Sequence, residues 1–145
     1  MISLTYKTTI APLVYLHPQE PYQPSDMGAQ ISNTRPKLEF ADVAGVPSPL
    51  TLDNLDELNK LGNNGLNIYL TSNDDISKNP TWLNGVKPDA DGKTGDAKSC
   101  AVIVVDKGNG MVDAFYMYFY AFNWGGIVLD KNLGNHVGDW YVSYL

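Results

Sequence analysis

The chain has 145 residues, 43% of them apolar, and a net charge of −6. That length suits one domain with a real core, and that composition does not make disorder the default. The acidic balance argues against nucleic acid, which needs a basic footprint, and against anionic membrane surfaces. The single cysteine, Cys100, excludes an intrachain disulfide. No stretch reaches the roughly 20 apolar residues of a membrane-spanning helix.

In chain order, Met1–Ala11 lacks the long apolar h-region of a signal peptide. Ile10–Leu16 is a short apolar run that predicts a first strand. His17–Asp26 follows, with Pro18, Pro21 and Pro24 enforcing extended or turn geometry. Ser25-Asp26 can cap a helical turn leading into Gly28-Ala29-Gln30. His17, Glu20 and Asp26 give this loop side chains of ligand type, although a solvated proline loop explains them equally simply.

Ser48–Gly62 predicts a helix, near residues 50–61. Ser48 or Thr51 can be its N-cap, Asp53, Asp56 and Glu57 favour its start, and Gly62 suits its C-terminal stop. Leu52, Leu55, Leu58 and Leu61 recur at threes as an apolar stripe for the core. Asn67–Thr71 alternates like a strand. From Ser72 to Ser99 periodicity is lost, with Pro80, Trp82 and Leu83 as anchors to the body. Asp89–Asp96 has a superficial likeness to a calcium loop, but Lys93 stands at the third ligand position and no closing Glu follows, so a solvated turn is the better reading. Cys100–Lys107 is a buried β-branched strand with an inert thiol. Gly108-Asn109-Gly110 turns it back as a hairpin.

The stretch Val112–Trp140 organises the rest. Between Phe115 and Trp124 only Met117, Ala121 and Asn123 are not aromatic. With a period of two, Ala114, Tyr116, Tyr118, Tyr120, Phe122 and Trp124 share one face, and Phe115, Met117, Phe119 and Ala121 the other. Aromatic residues suit a pleated surface, and two apolar faces predict a central strand covered on both sides. The phenols and indole of the first face want partners when buried. That face reads either as plain core or as a stacking platform, with Tyr116, Tyr118, Tyr120, Trp124 and Trp140 as ligand-binding candidates. Gly134–Trp140 (GNHVGDW) then sets His136 and Asp139 between glycines. Histidine is suited to proton transfer and metal ligation, and a nearby carboxylate can orient it. In an extended chain these two residues face opposite sides, so they meet only if the glycines bend the backbone. A tight structural turn is the simpler reading. A metal site would take His136 and Asp139, with His17 and Glu20. With only two histidines in the chain, such a site leans on carboxylates and on calcium, magnesium or manganese.

GNHVGDW, the aromatic strand from Asp113 to Trp124, PSPLTLDNLDELNKLG and LHPQEPYQPSD together resemble the fungal vacuolar protein sorting-associated protein 62 family over nearly the whole chain. The resemblance implies a single domain, 1–145, similar to the N-terminal half of the family's domain. It also implies a vacuolar, secretory or extracellular setting. The family's GDW continues with Glu-His, where this chain has Tyr141-Val142, and the family's later His-containing motifs do not occur here. A site built on those residues is incomplete in this chain.

The expected fold is mainly β, an antiparallel β-sandwich with one short α-helix near residues 50–61. Three functional readings follow. The first is a non-catalytic trafficking or interaction protein. The second is a carbohydrate- or small-ligand-binding sandwich using the aromatic strand. The third is a metal-assisted hydrolase, or its inactive remnant, with His136 and Asp139 as catalytic residues and a divalent metal as cofactor. The last strand, Tyr141–Leu145, offers an unpaired edge to a protein partner or a second copy.

Overall fold

The computed structural model describes residues 12–144. In order they form α1 (Met27–Ser32), β1 (Thr34–Leu38), β2 (Ala41–Asp42), a 3₁₀ segment (Leu52–Lys60), β3 (Ile68–Ser72), 3₁₀ turns at Ile76–Lys78 and Thr81–Asn84, β4 (Cys100–Gly108), β5 (Met111–Asn123), β6 (Ile127–Val128), β7 (Lys131–Asn132) and β8 (His136–Tyr144). The sheets are antiparallel, ordered β2-β1-β3, β4-β5-β8 and β6-β7. The fold is mainly β, as its patterning predicts.

The aromatic strand is central. Tyr118 pairs with Cys100 on one side and Tyr141 on the other. Ala114, Tyr116, Phe119, Tyr120, Ala121 and Phe122 are core residues from both of its faces. Burying a side chain of this size contributes about 1.5–3 kcal/mol. Where β4 begins, the neighbouring edge of β5 passes to another part of the chain. Phe119 N donates to Ser99 O at 2.9 Å, Ser25 N donates to Phe119 O at 2.7 Å, and Pro24 bridges Tyr120. Pro24 and Ser25 thus extend the sheet without a full strand. They are held from behind by Gln23 N to Asn84 O and Val86 N to Pro24 O, each 2.9 Å. Gly85 lies between those two bonds at φ +72, where an added Cβ would sit 2.0 Å from Gln23 O. Only glycine fits there.

The loop before this crossing lies on the tyrosine side of β5, with the Tyr22 ring 5.0 Å from that of Phe122. After the crossing, α1 lies on the phenylalanine side, where a Cβ on Gly138 would sit 3.4 Å from Gln30 Nε2 and 3.9 Å from Phe119. Asp26 caps α1 through Gly28 N at 3.0 Å, the cap that the sequence indicates.

Three expectations change. The helix near residues 50–61 exists, with Thr51 as its N-cap and Thr51 N bonded to Asn54 Oδ1 at 2.7 Å, but it winds as 3₁₀. The leucines explain this. A spacing of threes is the 3₁₀ repeat, so Leu52, Leu55 and Leu58 align on one side. Among the described residues the α-helix is α1 instead. The predicted first strand begins at Ile10 and Ala11, which lie outside the described residues, and its remainder, Pro12–Leu16, joins no ladder. Pro12 has no N–H to offer, and β4 and β8 already occupy the two edges of β5. Finally, β1 carries Pro36 inside a strand that the sequence did not advertise. β2 reaches back only to Lys37, opposite Asp42, so β1 is an edge at Pro36 and loses no bond there.

The Asp89–Asp96 segment is a closed turn. Asp89 Oδ1 accepts from Asp91 N and Lys93 N, both at 2.9 Å. Leu83 is 1% exposed and Trp82 Nε1 donates to Asp74 at 2.9 Å, so these side chains do anchor the irregular region.

Candidate functional site: an aromatic cleft beside the His136 bend

On the tyrosine side, the loop from Val14 to Tyr22 stands off the sheet and borders an open cleft of about 500 Å³. Tyr120 and Phe122 form its buried floor, while Trp124 (50% exposed) and Tyr141 (55% exposed) form its rim. The Tyr120 and Tyr141 rings meet nearly edge to face, 4.9 Å apart. The arrangement follows from strand periodicity: Tyr141 pairs opposite Tyr118 and so emerges beside Tyr120, on the same face. Trp124 follows the last residue of β5, where Asn123-Trp124-Gly125-Gly126 leaves the sheet. Gly125 is fixed there, because a Cβ would sit 2.1 Å from Leu133 O.

His17 and Glu20 line the cleft from the loop. His17 Nδ1 accepts from Gln19 N at 3.2 Å. Glu20 Oε1 accepts from Tyr22 N at 3.1 Å, which holds the carboxylate on the Tyr22 side. Burial pushes the Tyr22 phenol above its ordinary value, and the Glu20 carboxylate adds to the effect. Burial also raises Tyr120, with smaller contributions from Tyr141 and Glu20. The field in the cleft is therefore negative as well as partly dry.

His136 and Asp139 do approach each other. Gly138 takes φ +77 and bends the start of β8, bringing His136 Nε2 to 4.0 Å from Asp139 Oδ2. This is an ion-pair distance rather than a hydrogen bond. Shorter bonds engage both ring nitrogens. Nδ1 lies 3.0 Å from Gly138 O, and a carbonyl only accepts, so Nδ1 carries the proton. Nε2 is then the lone-pair nitrogen, and Asn123 Nδ2 donates to it at 3.1 Å. Asp139 Oδ1 accepts from Trp140 N at 2.8 Å. The imidazole is pinned within its own bend, and Asn123, which also lines the cleft, joins the two places. Among the described residues, no three His, Cys, Asp or Glu side chains gather as a metal-ligating group.

The predicted ligand face is divided by the structure. Tyr120 and Trp124 line the cleft. Tyr116 is 2% exposed and belongs to the core. Tyr118 faces a neighbouring hollow between the loop and residues 88–95, where its hydroxyl donates to Pro12 O at 2.9 Å. Trp140 packs against Phe119 with its ring tilted, 4.9 Å away, on the opposite face, because it pairs directly across from Phe119. Tyr22, Asn123 and Tyr141 were missed as cleft residues. Alternation after Asp139 could have found Tyr141. Nothing local marks Tyr22 or Asn123.

Two proteins of Saccharomyces cerevisiae match nearly all of this chain. Vacuolar protein sorting-associated protein 62 is 36% identical over 150 residues, which are 92% of this chain and 30% of that protein. TDA6, which carries a provisional vacuolar protein sorting-associated name, is 36% identical over 149 residues, 96% of this chain and 32% of that protein. The chain is similar to these two vacuolar protein sorting-associated proteins over nearly its whole length. It spans about a third of the length of these relatives. No family model matches it, and no solved structure matches it. Among the described residues, no helix is long and apolar enough to cross a membrane.

Proposed function

We propose that this region is a non-catalytic small-ligand-binding module of a vacuolar protein sorting 62-like protein, acting in the vacuolar or secretory pathway. Its site is the aromatic cleft. One observation carries the reading: Trp124 and Tyr141 are half exposed at the mouth of an open cleft whose floor is Tyr120 and Phe122. Mostly apolar walls with a few polar groups are the usual composition of a ligand pocket. The bonds that engage both His136 nitrogens favour a binding role over proton transfer, because a general base needs an available lone pair.

The test is ligand-observed NMR on the intact chain with a panel of methyl glycosides and small amines, repeated on Trp124→Ala. The expected result is at least one binder whose signal is lost in the variant, with stability unchanged within about 0.5 kcal/mol, as for an exposed position. A panel with no binder, or binders indifferent to Trp124→Ala, overturns the reading.

A further inference from the structure

We infer that the ligand of the cleft is an organic cation, held through a methylated ammonium group. This rests on the binding reading above and deepens it. The cleft combines the rings of Tyr22, Tyr120, Trp124 and Tyr141 with one carboxylate, Glu20, and no lysine or arginine lines it among the described residues. Aromatic faces are negative at their centres, and several of them around one carboxylate attract a cation whose own hydration is weak. A quaternary ammonium meets this description. It has no N–H donors to leave unpaired, and its methyl groups suit apolar walls. After burial, the Glu20 carboxylate adds to the upward push on both Tyr22 and Tyr120, in keeping with its place beside these rings. The same carboxylate reaches rings contributed by the loop and by β5, so its field spans the cavity. An anionic ligand would meet an uncompensated carboxylate here.

The experiment compares two probes of nearly equal shape at constant ionic strength: choline and its uncharged carbon analogue 3,3-dimethyl-1-butanol. Binding to isotope-labelled protein is followed by NMR shifts. Choline is expected to perturb Trp124 and Tyr141, and the analogue to bind about tenfold more weakly. Glu20→Gln should weaken choline about fivefold and leave the analogue unchanged. Both Glu20 and Trp124 are exposed, so these variants keep the fold, and circular dichroism confirms it. Equal binding of the two probes, or binding of a methyl glycoside with none of choline, overturns the cation inference while the binding module stands. Binding of no probe overturns both. Flotation with phosphatidylcholine vesicles separates the sources of the group. Co-flotation lost in Trp124→Ala supports a lipid headgroup, and choline binding without co-flotation supports a free solute.

Discussion

The two faces of β5 carry similar rings in different surroundings. On one face Phe119 is 4% exposed, packed against Trp140 and beside α1. On the other Tyr120 is equally buried at 6%, yet its neighbours Trp124 and Tyr141 stand half in solvent under a loop that does not close over them. The difference lies in what covers each face. A helix fixed by a cap and by its connection to the sheet fills the first. A proline-rich segment that joins no ladder until Pro24 spans the second. Packing is tight around Phe119 beneath α1, although Trp140 and Val142 farther along that face stay 42% and 58% exposed, and a cavity remains under the loop on the other face.

The comparison predicts unequal costs. Phe119→Ala should destabilise the chain by about 3–5 kcal/mol in urea unfolding, with Trp124→Ala close to wild type in the same assay. Similar losses from the two would erase the distinction between the faces. Gly85→Ala comes next, at about 3 kcal/mol, because Gly85 holds the crossing between the faces at a φ and spacing that leave no room for a methyl. If Gly85→Ala unfolds at the wild-type midpoint, the crossing is not rigid. Tyr118→Phe removes the bond from the phenol to Pro12 O and should cost about 1 kcal/mol. Its sharper reading is hydrogen exchange, which should rise in residues 13–22 and leave α1 unchanged. Exchange rising in both would mean that the two covers are coupled.

The smallest effect appears only in alkali. Burial, as the leading cause, raises Tyr22, Tyr118 and Tyr120 above the ordinary value of 10.0. For a group raised in the folded state, the neutral form is the one the fold prefers. Its contribution is complete below pH 10.0 and is lost as pH rises through the folded values. Phenolate absorbance should therefore show a late-titrating set that merges with the rest on unfolding. A single titration at the ordinary value would mean that the tyrosine face is wetter than its geometry indicates.

Much of this was legible in the residues. Alternation placed the aromatic strand at the centre, GNG placed its hairpin, and Asp26 placed the cap of α1. The resemblance was carried by GNHVGDW, the aromatic strand and the two other motifs. The bend that joins His136 to Asp139 was conditional on a glycine, and Gly138 supplied it. What stayed hidden was non-local. Tyr116 and Tyr120 share a face and a residue type, and only their distance from the loop separates core from cleft. Trp140 was grouped with the tyrosines, although the register of β8 commits it to Phe119. The 3₁₀ winding was present in the leucine spacing, but a helical stripe of threes reads equally as α until the neighbouring packing is known.

The loop over the cleft is tied at its two ends, by Tyr118 to Pro12 and by Tyr22 to Phe122, while Leu13 and Tyr15 between them are more than four-fifths exposed. Its interior can change length and sequence without altering any ladder of the sheet. New preferences can therefore be acquired by exchanging this short stretch alone, which offers a route to redesign: a graft of residues 13–20 onto an unaltered scaffold.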